Sequence, residues 1–257
     1  MSVIPLIVEH EPNATIFKLN RPEVHNAIND ELMSALEDAL NALDAEKNEK
    51  PLILTHAGSK TFCAGGDLSY FARLHTAEAC ERMSLRMQKV LDRLENSSRW
   101  VVAALDGQAL GGGCEVISAC HYRIAATHAK FSFRQAPNGI ITGWGGGRRI
   151  LTLLGRSKAL RLFLTGETLS AEQALKFGLV DEICPPGEVL QRARQLCEQV
   201  RLNDGAAVKG FLDLAAAYRL AHQTVAEVET DIFVRLWTGE TFQKIVERFR
   251  IGNKSAT

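Results

Sequence analysis

Apolar positions along the chain fall into short continuous runs and longer stretches of helical spacing, and the two kinds alternate. Val3 to Val8 and Thr15 to Leu19 are short apolar runs separated by Glu11-Pro12-Asn13, which predicts two strands joined by a turn. Arg21-Pro22 ends the second strand. Asn29 then stands where an N-cap is expected, and Leu32, Leu36, Leu40 and Leu43 recur at helical spacing to about Glu46. Pro51 to Thr55 reads as a strand buried on both faces. A polar, glycine-containing loop follows from His56 to Leu68, and then a helix from Ala77 to Leu94 with Met83, Met87, Val90, Leu91 and Leu94 on one side. Trp100 to Leu105 predicts another buried strand, Asp106 to Gly113 a loop, and Cys114 to Cys120 a helix. Tyr122 to Ala126 and Lys130 to Phe133 predict short strands. From Gly145 the pattern is mainly helical, and Val189 to Arg250 carries no strand signal.

Strands alternating with helices predict an α/β core, here followed by a helical C-terminal section. No Pro/Gly/Ser-rich linker, low-complexity tail or exact repeat divides the 257 residues. A chain of this length buries roughly three quarters of its unfolded surface, so a stable core needs no staples. The formal net charge of zero removes the usual electrostatic argument for nucleic acid or an anionic membrane as partner. No run of about 18 apolar residues predicts a membrane span. Met1 to Glu11 lacks a basic stretch leading into an apolar core, so the expected location is cytoplasmic. Six widely spaced cysteines without a C-x-x-C pair predict free buried thiols and no zinc site.

Two glycine-containing loops are the candidate chemistry. Phe62-Cys63-Ala64-Gly65-Gly66-Asp67-Leu68 follows one buried strand, and Ala109-Leu110-Gly111-Gly112-Gly113-Cys114-Glu115 follows another and opens a helix. Glycine lets backbone approach a ligand, and free N–H groups at a helix start favour negative charge. Two such loops can aim one N–H each at the same oxygen, the geometry of an oxyanion hole. Nucleotide-binding patterns fail on spacing. Gly143-Trp144-Gly145-Gly146-Gly147 is followed by Arg148 where a third spaced glycine is needed, and Lys60 of Gly58-Ser59-Lys60-Thr61 does not follow a properly placed glycine. Neither glycine loop sets a serine in a nucleophile position.

The order of motifs resembles the enoyl-CoA hydratase and isomerase family of the crotonase superfamily. Leu19-Asn20-Arg21-Pro22 with Asn26-Ala27 is similar to its opening signature. The two glycine loops are similar to its oxyanion loops. Gly139-Ile140-Ile141, Trp144-Gly145-Gly146, Thr165-Gly166-Glu167 to Ala174 and Gly178-Leu179-Val180 follow in family order, so the likeness runs from about Val3 to Arg250. It implies a spiral of strand-strand-helix turns over residues 1–195 and a helical section over 196–257 that serves as lid or in assembly, as a homotrimer or hexamer. It implies acyl-CoA thioesters as substrates, a place in fatty acid metabolism, and no cofactor or metal beyond the coenzyme A of the substrate. By position, the N–H groups of Ala64 and Gly112 are the implied oxyanion donors. Gly65, Gly66, Asp67, Leu68, Trp144 and Arg248 are the implied substrate-binding residues, Asp67 as a loop-ordering side chain. Arg248, Arg250 and Lys254 are candidates for the coenzyme A phosphates. Trp144 and Trp237 are candidates for the acyl pocket.

Glu115 falls at the family's first glutamate, in the first helical turn after Gly112, which suits a general base. The second glutamate position is Gln135, and an amide cannot deliver a proton as an acid. Glu115 is therefore the sole candidate acid/base, and three readings follow. The first is an enoyl-CoA hydratase or isomerase, a lyase or isomerase in which one carboxylate handles every proton. The second is a decarboxylase of methylmalonyl- or ethylmalonyl-type thioesters, with Arg134 as the nearby cation. The third is a coenzyme A-binding protein that has lost its chemistry.

Overall fold

The computed structural model describes residues 4–46, 50–220 and 224–254, with backbone alone at 218–220, 224–228, 249–250 and 252–254. Two sheets organise the chain. Leu6–His10 (β1) and Thr15–Leu19 (β2) form an antiparallel hairpin in register Leu6 to Leu19. Three strands then join β2 in parallel: Leu52–His56 (β3), Val101–Leu105 (β5) and Tyr122–Ala126 (β7). Glu182–Cys184 (β10) closes that six-stranded sheet. The smaller sheet holds Thr61–Cys63 (β4), Gln108–Leu110 (β6), Lys130–Ser132 (β8) and Thr168–Ser170 (β9). From β3 to β8 successive strands alternate between the sheets, and a helix follows each pair: Ala77–Glu95 (α3) after β4, Gly112–Ser118 (α4) after β6, Gly146–Leu154 (α5) after β8. This is the strand-strand-helix spiral.

Burial explains the continuous apolar runs. Every residue of β3 and β5 is buried. Leu52, Leu54, Val101, Ala103 and Leu105 belong to the main core with helix Asp30–Ala45 (α1) and α3. Their neighbours Ile53, Val102 and Ala104 alternate to the other face, where Val189, Ala193 and Cys197 of Val189–Arg201 (α8) cover them. A strand covered on both sides has no polar face to show. Asn29 caps α1 by accepting from Leu32 N–H at 3.0 Å. α1 and α3 both pack into the main core and are cross-linked by Arg86 to Glu37 and Arg93 to Asp44.

Four short strands differ from the sequence expectation. β4 and β6 lie inside predicted loops, and β9 and β10 inside a predicted helical region. Each has three residues, too few to display a period of two. A short helix, Leu68–Phe71 (α2), also closes the first loop. Between β9 and β10 runs Ala171–Phe177 (α7), entered through a Ser170/Gln173 capping box. Arg156–Thr165 (α6) precedes β9. The boundary expected between residues 195 and 196 falls inside α8, which packs on the large sheet; the helices beyond it are Gly205–Leu220 (α9), Thr224–Trp237 (α10) and Glu240–Lys254 (α11). α10 packs on α3 and α5, and α11 on α2. The packing has an aromatic seam. Trp237 lies 4.6 Å from Phe71, 5.5 Å from Phe233 and 4.7 Å from Phe242 between ring centroids. All six cysteines are free, five of them buried.

Candidate active site

The two glycine loops meet because β4 and β6 are neighbours in the small sheet. Gly65 has φ +97°, and a Cβ added there would stand 2.8 Å from Gly112 N, so only glycine allows this approach. Ile28 forms a parallel bridge to Gly66. Its N–H donates to Gly65 O at 2.7 Å, and its carbonyl accepts from Asp67 N–H at 2.8 Å. Gly66 N–H therefore faces the other way and has no acceptor among the described residues. Gly112 opens α4, where a first-turn N–H has no partner within the helix. Both border a cavity of about 460 Å³ that Glu115, Gln135, Trp144, Phe71, Phe233 and Phe242 also line.

Ala64 does not fit the donor role that the resemblance implies. Its N–H is used in the fold, donating to His25 O at 3.1 Å, whereas the N–H two residues on is free. Gly66 and Gly112 are the pair that the geometry offers. Asp67 accepts from Ser69 N–H at 2.9 Å and pairs with Arg21 at 2.9 Å, which ties the loop to the Leu19–Pro22 segment. Leu68 begins α2 and lines the cavity.

Glu115 is 3% exposed and fully engaged. Its Oε2 accepts from Trp144 N–H at 2.7 Å and Gly146 N–H at 3.1 Å. Its Oε1 accepts from Gln135 Nε2 at 3.0 Å and Gly143 N–H at 3.4 Å. Burial and the neighbouring negative charge of Glu229 outweigh these donors and push its carboxyl up to about 7. A carboxyl poised there can take a proton and give it back near neutral pH. Gln135 is buried beside it, and its carbonyl Oε1 has no partner. A buried acceptor left unpaired inside a cavity is a place for a water or a substrate hydroxyl.

Trp144 is buried, donates to Met83 Sδ at 3.3 Å, and lays its ring where a Cβ on Gly112 would be. Trp237 does not reach the cavity; it backs Phe71, Phe233 and Phe242, which do. Arg134 is exposed, lines the cavity and donates to Gly166 O at 3.5 Å. Arg248 is exposed on α11 and away from the cavity lining. The side chains of Arg250 and Lys254 lie outside the described residues. Among the described residues no group of His, Cys, Asp or Glu could hold a metal ion, and no helix is long and apolar enough to cross a membrane.

The sequence reading missed Glu229 of α10. It is 5% exposed and accepts from Gly147 N–H at 2.8 Å and Arg148 N–H at 3.1 Å. The available signal was a glutamate on the apolar stripe of Phe233, Leu236 and Trp237 at helical spacing. It also missed Ser84 and Gln88 of α3, which both donate to Gly143 O, Gln88 at 3.0 Å.

Residues 9–253 match the family model described as enoyl-CoA hydratase/isomerase. The short-chain-enoyl-CoA hydratase of Clostridium acetobutylicum is 33% identical over 81% of this chain and 80% of its own. The crotonyl-CoA hydratase of Syntrophomonas wolfei is 35% identical over 80% of this chain and 82% of its own. Among solved structures, an enoyl-CoA hydratase from Bacillus anthracis superposes with a TM-score of 0.80 at 30% identity, covering 88% of this chain and 90% of that one. The carnitinyl-CoA hydratase of Mycobacterium avium does so with a TM-score of 0.82 at 31% identity, covering 93% of each. The chain belongs to the enoyl-CoA hydratase/isomerase family of the crotonase superfamily. It is an enzyme of that type with the crotonase fold, and membership implies an acyl-CoA thioester substrate.

Proposed function

We propose that the protein hydrates a short-chain 2-enoyl-CoA, with Glu115 as its one acid/base. The observation that carries the reading is the buried Glu115 carboxyl, held near neutral pH in the same cavity as the free N–H groups of Gly66 and Gly112. The thioester oxygen binds to these two N–H groups. Water sits between Glu115 and the unpartnered Gln135 Oε1, displacing the long Gly143 contact. Glu115 takes one proton as the water oxygen bonds to C3. The C2–C3 π pair moves to give an enolate whose oxygen the two N–H groups stabilise. Glu115 returns the proton to C2, and the product is the 3-hydroxyacyl thioester. Removing one oxyanion donor typically costs about 100- to 1,000-fold in rate, so this pair supplies a large share of the catalysis. The short-chain assignment rests on the aromatic wall of Phe71, Trp144, Phe233 and Phe242 around the cavity. Two relatives, the short-chain-enoyl-CoA hydratase and the crotonyl-CoA hydratase, support it. We further propose that the chain assembles as a homotrimer or a hexamer.

Crotonyl-CoA turnover, followed by loss of the enoyl absorbance and gain of one water by mass, tests the reading. Wild type should hydrate it, and Glu115→Gln should lose at least about 100-fold in kcat. Below about pH 7 the carboxyl of wild type is protonated and cannot accept a proton, so kcat/KM should fall on the acid side of that value. Release of carbon dioxide from methylmalonyl- or ethylmalonyl-CoA without any hydration would sink the hydratase reading. Arg134, on the cavity wall, would then be the residue to substitute.

A further inference from the structure

Two buried carboxylates share one helix N-terminus. Glu115 takes the N–H groups of Trp144 and Gly146, and Glu229 takes the next two, Gly147 and Arg148. A Cβ on Gly146 would stand 2.4 Å from Glu115 Cγ, and one on Gly147 would stand 3.0 Å from the Glu229 carboxyl carbon. Consecutive glycines thus let both acids close on the same turn of backbone. The acids arrive from distant parts of the chain, Glu115 from α4 and Glu229 from α10. We propose that Glu229 is a positioning residue for Glu115: it anchors the Gly143–Gly147 turn whose N–H groups hold Glu115, and it sets a second buried negative charge against that carboxylate.

The surroundings give this charge weight. Arg148 and Arg149 of α5 are the cations packed nearby; both pair with Asp92 and Glu95 of α3, and Arg149 also favours the charged form of Glu229. Arg149 also donates to Trp144 O at 2.8 Å, bracing the same turn. On α4, Cys114 is a buried thiol pushed up by burial. Arg134 is exposed where it lines the cavity, and Asp231 and Arg235 of α10 are exposed. Gln135, Ser84 and Gln88, the other polar groups at the turn, are neutral. Thr142 hydrogen-bonds the Glu229 carboxylate, and burial nonetheless pushes Glu229 above the ordinary carboxylate range. Like charges held together in a buried site raise each other's proton affinity, so Glu229 makes Glu115 a stronger base. Glu229 does so from outside the substrate cavity: it lines a second apolar cavity of about 330 Å³, which shares Gln135 and Ile140 with the first.

This inference rests on the acid/base role given to Glu115 above, so the test reads protonation apart from turnover. Infrared difference titration of the buried carboxyls is run on wild type, Glu115→Gln and Glu229→Gln. The band that disappears in Glu115→Gln identifies Glu115. In Glu229→Gln that band should titrate lower by on the order of one pH unit, because a repelling charge is gone. The acid limb of kcat/KM should move down with it. Glu229→Asp keeps the charge and should leave the titration near wild type while lowering thermal stability. Thr142→Val is nearly isosteric and withdraws a hydrogen bond that favours the charged Glu229, so it should shift Glu115 the same way by less, even if Glu229→Gln fails to fold. A Glu115 titration unmoved in Glu229→Gln and in Thr142→Val would overturn the inference and leave Glu229 as a helix cap only. A titration that moves in a protein without hydratase activity would uphold it and refute the proposed function alone.

Discussion

Gly112 carries two duties at one atom pair. Its N–H opens α4 toward the cavity, and its Cα lies so close to the Trp144 indole that an added Cβ would meet the ring at 2.3 Å. Trp144 in turn holds Glu115 through its own N–H at 2.7 Å. A methyl at Gly112 must therefore displace the indole, and with it the backbone that positions the base. Gly112→Ala should lower kcat by about 100-fold or more while KM changes little, since the oxyanion hydrogen bond it disturbs is strongest in the transition state. Gly66→Ala should cost a comparable factor, because a Cβ there would stand 1.9 Å from the Phe71 ring and shift the loop that presents the Gly66 N–H. Steady-state kinetics of the two variants, with circular dichroism as a control for folding, tests both donors. A Gly66→Ala protein that folds and keeps wild-type kcat would take the first donor away from Gly66. A sequence pattern identifies the loop and not which of its N–H groups is free. That depends on the Ile28 bridge, which a linear reading does not contain.

At the scale of elements, the opening Leu19–Pro22 and Asn26-Ala27 signature is a clasp around the first glycine loop. Asn26 is 1% exposed with φ 54°, a conformation that asparagine tolerates better than most residues. Its amide donates to Ala57 O at 3.0 Å and Thr61 O at 2.8 Å, and its Oδ1 accepts from Arg21 N–H at 2.9 Å. Arg21 reaches Ala27 O and the Asp67 carboxylate. Asn26→Ala removes the side-chain partner of the buried Thr61 O and of the part-buried Ala57 O and Arg21 N–H, and it puts alanine in a left-handed conformation that asparagine tolerates better. The expected loss is about 3 kcal/mol or more in stability, read as a lower midpoint in urea. Asp67→Asn keeps the cap on Ser69 but removes the charge from the Arg21 pair. It should cost less, about 1–2 kcal/mol, with kcat falling as the loop carrying Gly66 loosens. Long elements such as α1, α3, β3, β5 and β7 were legible in the sequence because each buries one stripe or two faces over five or more residues. The three-residue strands of the small sheet were not, since their place is set by pairing with neighbours distant in sequence. Glu229 was hidden for a related reason: its partners lie more than 80 residues away.

Taken whole, the C-terminal helices divide between two surroundings. α10 and α11 fold back on the core, where Phe233 and Phe242 enter the cavity wall and Glu229 reaches the α5 N-terminus. α9 differs. Phe211 and Leu214 on it are 75% and 66% exposed, and Leu202 just before it is 83% exposed. A further apolar strip runs along α6, through Leu160 and Leu164. Neighbouring large apolar side chains left in water are costly, and burial against another copy of the chain removes that cost. For the proposed homotrimer, light scattering after gel filtration should give a mass near 85 kDa, three chains of 28.3 kDa, or twice that for a hexamer. Phe211→Glu with Leu214→Glu should shift the mass to one chain if α9 lies in the interface, because two buried carboxylates without partners are far costlier than the apolar packing they replace. Activity then locates the lid. Glu229, Phe233 and Phe242 come from the same chain as Glu115, so a monomeric variant that keeps kcat within a few-fold means each copy builds its site unaided. A monomer that folds but loses turnover means that a neighbouring copy completes the cavity, and the helical section then serves catalysis through assembly rather than by covering its own core.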